Sequence, residues 1–272
     1  MTGPSKLLAR PIAGHVTIIG EGRPIVFIHG NASTREVWRD VTHRLANRFR
    51  CITYDLRGLG AAPGLQGPPT LERFVEDLEE LHETLALDEP IAVVGQSLGA
   101  FVAASYAARH PEHVAWVGLL AMPANRSEQD RAAAGQLLDT LRRDGLAATA
   151  PNLAKHWYTA AFSAAHQAHL QKRLDQILAL DEDIFIAYYE LYCRVDVDAL
   201  LPRIEAPVLV MTGEYARGAG ADVARFISDR LPDGARVRIF PELKNGLMTE
   251  APDRTADELA AFAEHASSKG SG

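Results

Sequence analysis

Cysteine is scarce in this chain. Among 272 residues there are two, Cys51 and Cys193. That excludes a disulfide framework and any Cys/His spacing of the kind that holds zinc. Both read as reduced structural residues, and no metal or cofactor is expected. Positive charge is also thin: the formal net charge is -7 and lysine and arginine nowhere cluster, so the electrostatic footprint of a nucleic-acid or anionic-membrane binder is missing. The pairs Arg142-Arg143 and Lys172-Arg173 read as solvated helix faces. No apolar stretch approaches the roughly 18 residues of a membrane span. Met1 to Gly14 has no charged start followed by an apolar run, so no secretory signal is read there and a cytoplasmic protein is expected. Internal repeats are absent, and the one biased segment, Ala266 to Gly272, reads as a flexible tail.

What is present is a chain long enough for one large domain, or one domain with an inserted lid. His15 to Ile19 alternates and ends in the turn Gly20-Glu21-Gly22-Arg23-Pro24. Ile25 to Ile28, Cys51 to Tyr54, Ile91 to Val94, Val114 to Leu120, Val208 to Met211 and Val237 to Phe240 are short apolar strands of a buried sheet. Helices fall between them. Ser33/Thr34 precedes one with Val37, Trp38, Val41 and Leu45, and Thr70 caps one with Phe74, Leu78, Leu81 and Leu85. Leu98 to Arg109, Ala221 to Leu231 and Pro252 to His265 supply three more. This alternation predicts an α/β fold with a mainly parallel sheet covered on both faces.

After Met122-Pro123 roughly seventy residues pass with helical periodicity and no strand candidate. Ser127-x-x-Asp130 starts a helix running to about Asp144, Pro151 starts another, and Ala164 to Leu180 and Asp181 to Tyr192 complete an all-helical insertion. Its aromatic side chains include Trp157, Tyr158, Phe162, Phe185, Tyr188, Tyr189 and Tyr192. Most are expected to pack the insertion's own core, with Trp157 and Tyr158 candidates for lining a pocket.

The stretch Gly95-Gln96-Ser97-Leu98-Gly99 lies between a strand and a helix. A serine on so sharp a turn is forced into strained backbone geometry, and glycine at the flanking positions leaves room for the neighbouring strand and helix. Its hydroxyl then stands beside a helix N-terminus whose free N–H groups can hold an oxyanion.

With its neighbours this stretch resembles the α/β-hydrolase superfamily over essentially the whole chain, in the branch with a helical cap. The matching motifs are His29-Gly30, Asp55-x-Arg57-Gly58-x-Gly60, Gly95-x-Ser97-x-Gly99 and Glu250-Ala251-Pro252. The resemblance implies a mainly parallel eight-stranded sheet flanked by helices. It also implies a core formed by residues 1–123 and 198–272 and a cap formed by residues 124–197. Ser97 would be the nucleophile, and the backbone N–H groups of Asn31 and Leu98 the oxyanion hole. His29, Asp55 and Arg57 would be structural, with His29, Gln96 and Leu247 also bordering the substrate.

Two positions depart from that pattern. The triad acid is expected after Val208 to Met211 and the base five residues before the glutamate of Glu-Ala-Pro, and those places hold Ala216 and Asn245. An asparagine amide cannot accept the serine proton at neutral pH, though it can still hydrogen-bond a ligand. Lys244 adjoins the position, and His156, His166 and His169 lie on helices of the insertion, where a solvated surface role is expected of each. The expected function is therefore that of an α/β-hydrolase-fold enzyme acting on a small, largely apolar carbonyl compound, an ester, lactone or C–C bond, with classical hydrolysis impaired or replaced. A cofactor-free lyase, decarboxylase, isomerase or cyclase, and a ligand-binding sensor, are the alternatives. The partner is a small molecule, with a homodimer compatible and neither nucleic acid nor membrane expected.

Overall fold

Runs of β-branched and aromatic residues too short to be helices become the strands of one sheet. The computed structural model describes residues 12–269. After a 3-10 turn come β1 (Val16–Ile19) and β2 (Pro24–Ile28), then a 3-10 turn at Arg35–Trp38 that leads into α1 (Arg39–Leu45). β3 (Arg50–Tyr54), α2 (Leu71–Thr84), β4 (Ile91–Gln96), α3 (Leu98–Arg109) and β5 (Val114–Leu120) follow. Four helices come next without a strand: α4 (Glu128–Trp157), α5 (Ala160–Ala165), α6 (Gln167–Leu178) and α7 (Glu182–Arg194). The chain closes with β6 (Val208–Gly213), α8 (Ala221–Arg230), β7 (Arg236–Phe240), α9 (Leu247–Glu250) and α10 (Pro252–Lys269).

The strands lie in the order β1-β3-β2-β4-β5-β6-β7. Only β1 is antiparallel to its neighbour, pairing Val16 with Tyr54 and Ile19 with Cys51. Side chains alternate between two cores. Val26, Ile28, Ile52 and Val93 face α2, α3 and α8, whereas Ile25, Phe27, Cys51 and Val94 face α1 and α10. Burial on both faces is what the continuous apolar strands require.

The sheet has seven strands among the described residues, one fewer than the eight expected. The residues themselves supply seven strand candidates, and the eighth came only from the family's usual count. Within the described part, what precedes β1 is the 3-10 turn Ile12–His15. The first eleven positions, and the end of the Ala266 to Gly272 tail at 270–272, lie outside the described residues. Before that end α10 continues to Lys269, four residues past its expected stop.

The helical segment between β5 and β6 differs in its breaks. α4 is interrupted at Gly145, whose φ of 82° is open to glycine at little cost. Its second half begins at Leu146 and not at Pro151, because Glu182 of α7 accepts the Leu146 N–H at 2.8 Å and so caps it from outside. The helix expected over Ala164 to Leu180 is two, since His166 leaves the helical region at φ -127° and ψ 46°. Ser127 caps as the sequence predicts, with the Ser127 hydroxyl and the Asp130 carboxylate closing a reciprocal box. Thr34 does not, as its side chain makes no capping bond. No described helix is long and apolar enough to cross a membrane.

The four helices sit on the loops that follow the carboxyl ends of the strands. Tyr188 of α7 donates its hydroxyl to the Arg57 carbonyl after β3 at 2.5 Å. After β7, the Gly246 N–H reaches the Trp157 carbonyl at 3.0 Å, and Lys244 donates from Nζ to the Lys155 carbonyl at 2.9 Å. Ala32, after β2, packs into the small core that Leu141, Leu146, Leu153, Ile177 and Phe185 form within the helical segment.

Candidate active site

Ser97 occupies the turn between β4 and α3 with φ 53° and ψ -113°. That region is hostile to a residue with a Cβ, and holding it costs of the order of 1–3 kcal/mol. The surrounding backbone holds it there. The Ser97 N–H donates to the Leu120 carbonyl of β5 at 2.9 Å, and its carbonyl accepts from Ala100 and Phe101 at 3.0 and 3.3 Å. The two glycines supply the clearance the turn needs: a methyl group at Gly95 would lie 2.1 Å from the Gly99 oxygen, and one at Gly99 would lie 2.3 Å from the Ile28 oxygen. Ser97 itself is half-buried, and Leu98 behind it is fully buried at the first position of α3. As a first-turn residue, Leu98 has no intrahelical acceptor for its N–H.

The loop after β2 lies against this turn. A Cβ on Gly30 would come within 2.2 Å of Gln96 Oε1 and 3.1 Å of the Gln96 carbonyl oxygen, so the two strand ends lie close together here. Asn31 accepts the Ala32 N–H on its own Oδ1 at 2.8 Å, which fixes the bend that puts Ala32 at φ 54°. Beneath it, His29 Nδ1 faces the Gly30 carbonyl at 2.8 Å and Nε2 accepts the Leu56 N–H at 3.0 Å. Both ring nitrogens are spent. This pattern requires the neutral tautomer, and burial pushes the imidazole pKa below its usual 6.5. His29 and Leu247 are fully buried. Gln96 and Trp157 are half-buried, and Tyr158 is buried.

Behind the loop after β3, Asp55 accepts the backbone N–H groups of Arg35 at 2.7 Å and Ala61 at 2.9 Å. Arg57 and Asp77 form a buried pair at 2.7 Å. Asp55 thus fixes backbone of two loops, and Arg57 ties the loop after β3 to α2.

The loops after β6 and β7 are knitted together. Tyr215 donates its N–H to the Leu243 carbonyl at 2.8 Å, and Glu214 to Phe240 at 2.9 Å. A Cβ on Gly213 would stand 2.2 Å from the Lys244 oxygen. Ala216 and Asn245 are therefore carried on adjoining loops, each a few residues past its strand. Ala216 is buried. Asn245 is half-buried, and its Oδ1 is fully buried with no hydrogen-bond partner. Orphaned buried oxygens are rare in folded proteins and cost roughly 1–3 kcal/mol. Next to it, Gly246 leaves room for the Tyr158 ring, which a Cβ would approach to 2.8 Å.

Two residues at this site were not legible in advance. Glu250 accepts the Thr159 hydroxyl at 2.6 Å and the Thr159 N–H at 3.1 Å, so the first residue of Glu-Ala-Pro fastens the end of α4 to the loop after β7. Arg173 of α6 does not lie on a solvated face as expected. It is half-buried, stands 5.1 Å over the Trp157 ring and donates to the Ala32 carbonyl. His156 and His166 are exposed, and each ring bonds a carbonyl four residues back on its own helix.

Metal-ligating side chains gather elsewhere, at the amino end of the sheet, where Glu79, His82 and His113, and again His110, Glu112 and His113, bring ligand atoms within 4.8 Å of one another. The His82 and His113 rings stack at 4.3 Å and 11°, so their lone pairs run side by side and do not converge on one ion. Glu79 Oε2 is already engaged by Tyr106 at 2.7 Å and His113 at 3.2 Å.

A family model described as the alpha/beta hydrolase fold matches residues 23–251. A pimeloyl-[acyl-carrier protein] methyl ester esterase of Chromobacterium violaceum is 28% identical over 260 residues, covering 92% of this chain and 96% of that one. A Mycobacterium tuberculosis protein named as a non-heme bromoperoxidase, BpoC, is 40% identical over 115 residues, and the match spans only 42% of its length. Among solved structures, a thermophilic esterase from Thermogutta terrifontis superposes with a TM-score of 0.83 at 22% identity, covering 92% of this chain and 93% of that one.

Proposed function

The chain belongs to the α/β-hydrolase family, and from that premise we propose that it acts on a small, largely apolar carbonyl compound at Ser97, with classical hydrolysis impaired. The helical segment is then the cap, and the N–H groups of Asn31 and Leu98 are the oxyanion hole. The observation that carries this reading is the strained Ser97 turn, retained in a chain whose Asn245 amide oxygen is buried without a donor. The strain points to a hydroxyl held for chemistry. The asparagine stands where a histidine would take the proton, and an amide does not take it.

In such a site the carbonyl of the substrate is polarised by two N–H groups, each worth roughly 3–4 kcal/mol when aimed at developing negative charge. Ser97 remains protonated and is a slow nucleophile. Loss of the base in a serine protease costs about 10⁶ in turnover, while oxyanion hole and binding keep about 10³ to 10⁴ over water. Asn245 Oδ1 supports a second reading, in which a substrate hydroxyl, enol or N–H donates to it and the site runs a cofactor-free elimination, decarboxylation or isomerisation. Replacing Ala216→Asp together with Asn245→His tests the first reading. A gain on the order of 10⁴ in hydrolysis of short activated esters supports a hydrolase site lacking its base. No gain removes that reading and favours the second.

A further inference from the structure

Three arginines of the helical segment pair with carboxylates, while Arg126 is held by the Tyr192 carbonyl and lies over the Phe101 and Tyr192 rings. Arg131 pairs with Asp196 at 2.7 Å, Arg142 with Glu190 at 2.7 Å and Arg143 with Asp144 at 2.8 Å. Arg173 is more enclosed than these, and among the described residues no carboxylate lies within ion-pair distance of it. A cation removed from water without a counter-charge is costly, and a carboxylate brought by a ligand would offset that cost. Burial is felt at the group itself, drawing the guanidinium pKa downward.

Its position says which ligand. The guanidinium lies over Trp157 at 5.1 Å and is hydrogen-bonded to the Ala32 carbonyl and the Tyr158 side chain. The fork has five donors, and those not spent on Ala32 and Tyr158 can still give two parallel bonds to a carboxylate. Ala32 directly follows Asn31, and the same loop abuts Gln96 and the Ser97 turn through Gly30. The contacts with Trp157, Ala32 and Tyr158 also pre-orient the fork, so little further side-chain entropy is lost on binding.

We infer that Arg173 is the anchor for a carboxylate on the substrate, so that the ligand is a small, largely apolar carbonyl compound that also carries an acid. This specificity role rests on the reading of the space beneath the cap as the substrate site. Arg173 touches the end of the molecule that does not react and sets which compounds are admitted.

Titration of the full chain with hexanoate and with hexanamide at pH 7.5, followed by tryptophan emission, tests it. Trp157→Phe identifies the part of the signal that arises beside Arg173, since Trp38 and Trp116 are buried in the core below. Hexanoate is expected to bind at least about tenfold more tightly than hexanamide, the effect of a charge-assisted pair. Arg173→Met brings the two to parity by weakening hexanoate alone, and Arg173→Lys keeps a reduced preference. Thermal unfolding of both variants checks the fold. Should the methionine variant not fold, the unmodified chain and Arg173→Lys still decide. Equal binding of the two ligands, or a preference that survives in Arg173→Met, overturns the anchor and leaves the site standing. If neither ligand alters Trp157 emission, the substrate site itself is lost and the anchor with it.

Discussion

Ala216 is 8% exposed, so a carboxylate introduced there alone would be largely stripped of water with no imidazole to meet it. Ala216→Asp is expected to lower stability by roughly 1–3 kcal/mol, the cost of a poorly partnered buried polar group. Adding Asn245→His should recover part of that loss. A double-mutant cycle by urea unfolding measures the coupling, and strictly additive effects would show that the two positions do not meet. At this scale much of the site was legible. Glycine on either side of Ser97, and the spacing from Glu250 back to Asn245, are identities that survive without coordinates. Arg173 was not legible. Lys172 and Arg173 are adjacent on a helix and point about 100° apart, so a charged pair looks solvated until the packing shows which member turns inward.

Among elements, the junction between the helical segment and the loop after β7 deserves a direct probe, because it rests on few bonds. Thr159 gives Glu250 both its hydroxyl and its N–H, and Gly246 and Lys244 reach the Trp157 and Lys155 carbonyls. Glu250→Ala should raise amide hydrogen exchange across α5 and the end of α4 by about tenfold while lowering global stability by no more than ~2 kcal/mol. Unchanged exchange there would mean that the packing around Ala32 and Ile177, and not these bonds, holds the segment down. Element existence was readable from periodicity, since buried parallel strands are continuous apolar runs. Helix ends in the segment were not. Gly145 breaks α4 because Glu182, 37 residues later in the chain, caps the next turn, and His166 breaks a helix whose apolar spacing runs straight through.

For the molecule as a whole, stability should fall on mild acidification. Burial lowers the folded pKa of His29 from 6.5, and burial does the same to His82 and His169. A group depressed in this way binds its proton more readily in the unfolded chain. Its contribution is therefore fully present above pH 6.5 and is lost as pH drops below that value toward the folded pKa, at about 1.4 kcal/mol per pH unit for each proton taken up. Urea midpoints between pH 7.5 and 5.5 report the slope. His29→Gln, whose amide oxygen can still accept from Leu56, should flatten it. An unchanged slope would place the effect on His82 and His169 alone. The fold class follows from the alternation of strands and helices along the whole chain, whereas the strand count depends on where the first strand begins, which a resemblance to a family does not determine.

The central claim is that Ser97 sits in a reactive geometry but has no base. The rate at which a serine-directed phosphonate labels Ser97, followed by intact mass, tests it most directly. Labelling of the unmodified chain should be slow and should accelerate by on the order of 10³ or more once Ala216→Asp and Asn245→His are introduced together. Fast labelling of Ser97 in the unmodified chain would contradict the claim and require that another side chain already takes its proton.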